Sequence, residues 1–272
     1  MTVSPTSTLS VQTLIDALRL PESCRVDQRV PKKLLLENAA STAPDKRLIT
    51  DAIEEIQWLA ALKPNTIGVP SYRDAQREYL EIAVLTVTLR GTVKPARLAR
   101  LAELVHRAVP YPVLLLMEGQ ALTLSLAHKR WAQNEAGKVV LDGDAVLLAL
   151  SRVTEDVTGE EDAIAPEIES AFVQSLSIAC QPQATLHALY QGWMDCVQAL
   201  LAARLTGSYQ TPATPEQAAA RRQALADCER LEAEVSRLRA QAAKEKQIAR
   251  QVELNLTLKR VQAELATARQ QL

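Results

Sequence analysis

The period of the apolar positions changes along the chain, and each change marks an element. Residues 11–20 place Leu14, Ala17 and Leu18 on one face behind Ser10, which predicts a short helix capped by that serine and stopped by Pro21. Residues 1–10 are polar and read as loose, and residues 25–33 read as a basic connector in which Pro31 opens a helix over residues 32–38. In residues 45–62, Ile49, Ile53, Ile56, Leu59 and Leu62 recur at spacings of three and four, with Asp51, Glu54 and Glu55 opposite. That pattern predicts one amphipathic helix ended by Pro64. Residues 65–69 then read as a short strand, and residues 71–78 as a polar loop or bulge.

Residues 80–89 carry the clearest strand pattern, rich in Val, Ile, Thr and Leu and apolar on both faces, so a central strand covered on both sides is expected. A helix follows over residues 95–109, with Leu98, Leu101, Leu104 and Val105 inward. Pro110 and Pro112 break it and launch the apolar strand 113–117. Residues 118–120 form a turn of hairpin length, 122–127 its partner strand, and 138–141 an edge strand. Residues 145–153 read as a helical patch and 155–162 as an acidic loop. The whole predicts an α+β class: a small mixed sheet with packed helices, then a helical region and a long C-terminal coiled-coil helix. The expected boundaries are an α+β domain over 1–160, a helical region over 161–206, a linker over 207–215 and a coiled-coil tail over 216–272.

The tail has neither Gly nor Pro, and as one helix it would span about 85 Å. Leu231, Val235 and Leu238 recur by three and four, as do Leu254, Leu258, Val261 and Leu265, and these are the expected coiled-coil interface. The near-repeats at 229–235 and 259–265 are thirty residues apart, which is not a multiple of seven, so a register shift or break is expected near residues 244–248. So long a stripe of leucines must be buried, either between chains or in a hairpin.

Composition narrows the chemistry. Aromatics are only 3% of the 272 residues, so Ala, Val and Leu must fill the core. The net charge is −1, with +3 over residues 216–272 and −4 over the rest, too small a polarity to point to a dedicated nucleic-acid binder. No apolar run is long enough for a spanning helix and the first ten residues do not resemble an export signal, so a cytoplasmic protein without membrane partners is expected. The four cysteines are widely separated and the histidines number three, which points to reduced thiols and to neither metal nor cofactor. Phosphate-cradling glycine loops are missing. The element order suits a restriction-type nuclease, whose paired carboxylates and lysine hold Mg²⁺ and water. Glu81 stands where an E-x-K motif would begin, without its lysine; Asp74 and Glu78 are the nearby acids. Glu81 otherwise reads as an edge or loop-facing carboxylate. His106 reads as a surface or capping residue. His128, Lys129, Arg130 and Trp131 put basic groups beside an aromatic, a set able to meet phosphate and base, or else a solvated strand end with Trp131 turned inward. Arg25, Arg29, Lys32 and Lys33 form the other basic patch, able to contact DNA or an acidic partner or simply to be solvated.

Several segments resemble a bacterial domain-of-unknown-function family, number 4391: Val30-Pro-Lys-Lys33, Ile56-Gln-Trp-Leu-Ala-Ala-Leu-Lys-Pro-Asn-Thr-Ile67, Leu80-Glu-Ile-Ala-Val84 and Val109-Pro-Tyr-Pro-Val-Leu-Leu115. The resemblance covers roughly residues 20–205. It implies a context like that of accessory subunits encoded beside helicases and DNA methyltransferases in restriction and phage-defence loci, and it supplies no catalytic residues. The expectation is a non-catalytic adaptor in a helicase-centred complex, homo-oligomeric or partner-docked through its C-terminal helix. A divergent metal-dependent nuclease or a direct DNA-binding subunit is the alternative.

Overall fold

The computed structural model describes residues 9–133, 135, 137–150 and 164–272. The chain divides into two compact units, Met1–Glu161 with Val173–Met194, and Asp162–Phe172 with Asp195–Leu272.

The first unit is α+β, as the sequence predicts. Helix α1 (Val11–Leu18) is capped by Ser10, whose hydroxyl accepts from the Thr13 amide at 3.1 Å. Strand β1 (Arg25–Arg29), helices α2 (Lys32–Asn38) and α3 (Ala43–Ala52), and strand β2 (Ile53–Leu62) follow. After the single turn α4 (Pro64–Ile67) come a small hairpin of β3 (Tyr72–Arg73) and β4 (Glu78–Tyr79), then β5 (Ile82–Leu89), α5 (Pro95–Ala108), β6 (Val113–Glu118) and β7 (Thr123–Leu126). Strands β8 (Lys129–Trp131) and β9 (Val139–Leu141) pair with each other, and β10 (Val146–Ala149) returns to β7.

The main sheet has six strands in the order β1-β2-β5-β6-β7-β10. All neighbours are antiparallel except β5 and β6, which run parallel because α5 carries the chain back between them. β5 is central and β6 wholly apolar up to Met117, so both are buried on both faces. On one face Ala83, Leu85, Val87 and Leu89 of β5 meet Leu101, Leu104 and Val105 of α5 and Ile49 of α3 in a single core. Arg100 of α5 ties these helices together: its guanidinium donates to both carboxylate oxygens of the buried Asp45, at 2.9 and 2.8 Å, and holds that carboxyl below its usual range.

Four expectations are corrected. Residues 45–62 are not one helix, because the chain turns extended at Ile53. Two irregularities in the β2–β5 register, between Ile53 and Glu55 and between Trp58 and Ala60, explain the misleading period. A bulge adds a residue between inward positions, so Ile53 and Ile56 face the same core three residues apart. Residues 65–69 form no strand: Pro64 starts a helical turn, the Thr66 hydroxyl accepts from the Lys63 amide at 2.9 Å, and Gly68 ends the turn at φ 73°. The basic connector contains edge strand β1, kinked where Asp27 adopts φ 47°. The patch at 145–153 contains strand β10 rather than helix, with residues 151–153 and the acidic loop 155–162 outside the described residues.

The second unit is helical. It takes the start of α6 (Pro166–Ser175), the latter half of α7 (Leu186–Thr206), and the helices α8 (Pro215–Lys244) and α9 (Ile248–Arg269). Phe172 meets Tyr209 edge to face, with ring centroids 6.2 Å apart. The tail breaks at Glu245–Gln247, inside the expected window, and α9 folds back on α8. Among the described residues no helix is long and apolar enough to cross a membrane. All four cysteines are free.

Candidate functional site

Two features stand out from the framework, and each lies within one unit. The first is a cluster of rings in the sheet unit. Only five tyrosines and three histidines exist in the chain, and Tyr72, Tyr79, Tyr190, His128 and His187 converge here. The β3–β4 hairpin contributes Tyr72 and Tyr79, the end of β7 leads into His128, and the first turns of α7 supply His187, Tyr190 and Gln191. The Tyr79 hydroxyl donates to His128 Nδ1 at 2.5 Å, and His128 Nε2–H donates to the Gln191 carbonyl oxygen at 2.9 Å. Both imidazole nitrogens are therefore occupied, and burial, helped by nearby His187, lowers its pKa to about 4. Tyr190 is fully buried; its hydroxyl accepts from the Ala127 amide at 2.8 Å and donates to the Val113 carbonyl at 2.7 Å, closing the ends of β6 and β7.

His187 differs from His128. It is half-buried, stacks on Tyr72 at 4.8 Å and has no hydrogen-bond partner among the described residues. Its pKa is also lowered, mainly by burial and then by Arg77. Around the cluster, Arg77 makes a two-nitrogen contact with Asp142, at 2.9 and 2.5 Å, and Arg130 approaches the same carboxylate at 3.5 Å. The cluster is thus a neutral, mostly satisfied polar core with one imidazole open to solvent. No sequence spacing reveals it, because its rings are up to 118 positions apart. Its one visible signal is the rarity of rings in this chain.

Lys129 and His106 correct two expectations. Lys129, predicted to meet phosphate or a partner, is 3% exposed, and its ammonium donates to the carbonyls of His106 and Val109 at the end of α5. Burial pushes it down to about 7, while the carbonyls at that helix terminus favour its charged form. His106, predicted at the surface, is fully buried against Ser125 at 3.0 Å, and burial beside Lys129 lowers it to about 3. Trp131 is only partly buried, and its amide donates to the Gln76 carbonyl at 2.7 Å.

The remaining predicted residues are dispersed. Glu81 is 5% exposed, not loop-facing, and its Oε2 lies 3.0 Å from Lys63 Nζ, while its Oε1 has no partner among the described residues. Asp74 caps the β3–β4 turn, accepting from the amides of Gln76 and Arg77 at 2.7 and 2.6 Å, and Glu78 pairs with Arg73 at 3.1 Å. All three acids are thus engaged, Glu81 through one oxygen only, and no group of three metal-ligating side chains occurs among the described residues. Arg29 pairs with Glu55, Lys33 with Glu37, and Lys32 donates to the Ile53 carbonyl, so most of the basic patch is spent within the chain. Arg25 is partly buried, with its Nε unpartnered among the described residues.

The second feature is the hairpin. Cys228, Leu231, Val235 and Leu238 of α8 pack on Val261, Leu265 and Ala268 of α9, with Leu254 and Leu258 partly buried beside them. Arg269 pairs with Glu232 at 2.7 Å, which registers the antiparallel helices. The leucines expected to form the coiled-coil interface therefore close on one another within one chain. A different set is left out: Ile248, Val252 and Leu256 of α9 are 79%, 52% and 62% exposed.

A mixed-sheet α+β unit followed by an antiparallel helical hairpin defines the architectural class. The profile of the family described as Domain of unknown function (DUF4391) matches residues 18–265, and the chain belongs to that family. The match runs through both the sheet unit and the hairpin. Comparison with curated proteins and with solved structures gives no match.

Proposed function

We propose that this protein is a non-catalytic accessory subunit of a helicase-centred DNA-processing or antiphage complex, acting in the cytoplasm through its C-terminal hairpin. The observation that carries the reading is the apolar row Ile248, Val252 and Leu256, which stays exposed although the hairpin has already buried its leucine seam. Large aliphatic side chains aligned on one exposed helix face mark an interaction surface. The sheet unit fits a scaffold: its acids Asp45, Glu78, Glu81 and Asp142 are each paired with a basic residue of the same chain. The helicase context rests on the family resemblance. The test is capture of partners from the host by full-length tagged protein, beside a variant carrying Ile248→Ser, Val252→Ser and Leu256→Ser. A helicase retained by the first and lost by the second is expected. Retention of no neighbour by either protein overturns the reading.

A second reading, a divergent metal-dependent nuclease, draws on one contact. Lys63 at the end of β2 meets Glu81 at the start of β5, which supplies from a neighbouring strand the lysine that the E-x-K pattern lacks. Incubation with DNA and Mg²⁺ or Mn²⁺ decides it: cleavage that disappears on Glu81→Gln would replace the adaptor reading.

A further inference from the structure

Charge is spread unevenly along the hairpin, and the excess sits at its bend. Residues 237–260 hold seven Lys and Arg against two Glu, a net of +5, while the rest of the chain nets −6. The average over the whole tail, +3, conceals this concentration. All seven basic side chains are exposed. Arg237 and Arg260 reach carboxylates of their own helices, Glu234 at 3.4 Å and Glu264 at 3.8 Å. The other five, Arg239, Lys244, Lys246, Arg250 and Lys259, have no ion-pair partner among the described residues. The two acids do not offset them: Glu245 turns its carboxylate to the amides of Lys246 and Gln247, each at 2.8 Å, which leaves Glu253.

The fold brings these cations to one end of the limb. Gln251 donates to the Ala242 carbonyl at 3.3 Å beside the bend, and Arg269 pairs with Glu232 further along. Arg237 and Arg239 of α8, and Lys259 and Arg260 of α9, lie between those two ties. Lys244 and Arg250 border one open cleft at the bend itself. At about 1.5 Å per residue, the cations occupy roughly the last 15 Å of the hairpin. Like charges gathered so closely repel one another, and a polyanion relieves that repulsion.

Two features select the polyanion. Residues 237–260 contain no Phe, Tyr or Trp, so they offer no platform for unstacked bases. A duplex, whose bases stack on one another, needs none. A helix that lies in a membrane surface keeps its charges apart from its apolar side chains. Here, at about 100° per residue, Lys259 falls about 20° from Val252, in line with the exposed apolar side chains. We propose that the bend of the α8–α9 hairpin holds the phosphate backbone of duplex DNA, through Lys244, Lys246 and Arg250 at the tip and Arg239 and Lys259 behind them. Phosphate contacts carry no base readout, so the binding is independent of sequence. The choice of DNA over duplex RNA rests on the adaptor reading; the contact with a duplex backbone does not.

Fluorescence anisotropy of a labelled DNA duplex of about 20 base pairs, titrated with full-length protein over a salt series, tests this. With about four phosphates neutralised, the logarithm of the association constant falls against that of salt with a slope of about −3 to −4. Combining Lys244→Gln, Lys246→Gln and Arg250→Gln weakens binding about tenfold or more and lowers the steepness of that slope by about 2 to 3. Circular dichroism shows the helices of this variant intact, since all three side chains are exposed. Combining Lys46→Gln, Arg47→Gln and Arg222→Gln removes the same charge from exposed positions away from the bend and leaves affinity within about twofold. Absent or salt-insensitive binding, an equal loss in both triple variants, or tighter binding to single-stranded DNA or phosphatidylserine vesicles overturns the proposal. Duplex RNA bound more tightly than duplex DNA overturns the choice of DNA. A chain that binds the duplex but captures no helicase removes the adaptor reading alone, and one that captures a helicase but leaves the duplex free removes this proposal alone.

Discussion

Leu115 in β6 and Val252 in α9 are both aliphatic and both lie in regular structure, yet they meet opposite surroundings. Leu115 is fully buried, in a parallel strand covered on two faces. Val252 is half exposed on a helix whose other side is already satisfied. The sheet unit closes a core around β5 and β6, leaves Leu34 and Leu80 each 47% exposed, and partners even its buried charges, Asp45 with Arg100 and Lys129 with the end of α5. The hairpin has buried one seam and kept a second apolar row. The contrast separates two placements of apolar side chains: those of β5 and β6 are closed inside the first unit, and those at 248, 252 and 256 stay outside the seam of the second.

Substitutions can break that contrast, beginning with the largest effect. Leu115→Ala is expected to cost about 2–5 kcal/mol, read as a shift of the urea midpoint. A loss like that of a surface change would show that the sheet is not the stabilising core. Next comes acid. His106 and His128 have folded pKa values near about 3 and 4, below the ordinary 6.5. The unfolded chain therefore binds more protons between these values, and stability falls as pH drops from about 6.5 toward about 4. His106→Gln should shallow that slope, measured as urea midpoint against pH, although it also lowers stability at neutral pH. An unchanged slope would mean the buried imidazoles do not govern acid sensitivity.

Leu231→Ala in the seam is expected to cost about 2 kcal/mol, the low end for such a change. Its signature is regional: amides of α8 and α9 exchange faster while those of β5 and β6 keep their protection. Loosening of both would show the two units to be one cooperative body. The smallest effect is expected for Arg269→Ala, whose partner Glu232 is itself well exposed. It should cost less than about 0.5 kcal/mol by thermal unfolding, and a large loss would give the hairpin an electrostatic rather than an apolar basis.

The sequence was informative where one interaction dominates. Strands β5 and β6, helix α5, the Ser10 cap and the break before α9 all follow from local pattern, to within two residues at the strand ends. It misled where tertiary geometry altered the pattern. Two irregularities in β2 produced a helix-like spacing, and a positive φ at Asp27 hid an edge strand among basic residues. Lys129 carried a charge that suggested solvent, and only the free carbonyls ending α5 give that charge an interior partner. The ring cluster joins residues brought together by the sheet and by α7, which no spacing rule reaches. Local pattern marks the stripe of leucines in the tail, but composition cannot say whether such a stripe closes on its own chain or another. The outer row at 248, 252 and 256 is hidden in the sequence because it interleaves with the seam positions of the same helix.

The hydroxyl of Tyr190 completes the ends of β6 and β7 from 77 residues beyond Val113 and 63 beyond Ala127. During synthesis at about 5–20 residues per second, those strand ends wait several seconds for their partner, with water serving the Val113 carbonyl and the Ala127 amide meanwhile. A nascent chain stopped short of α7 therefore carries an unfinished sheet, and the emergence of one tyrosine from the ribosome is the step that seals it.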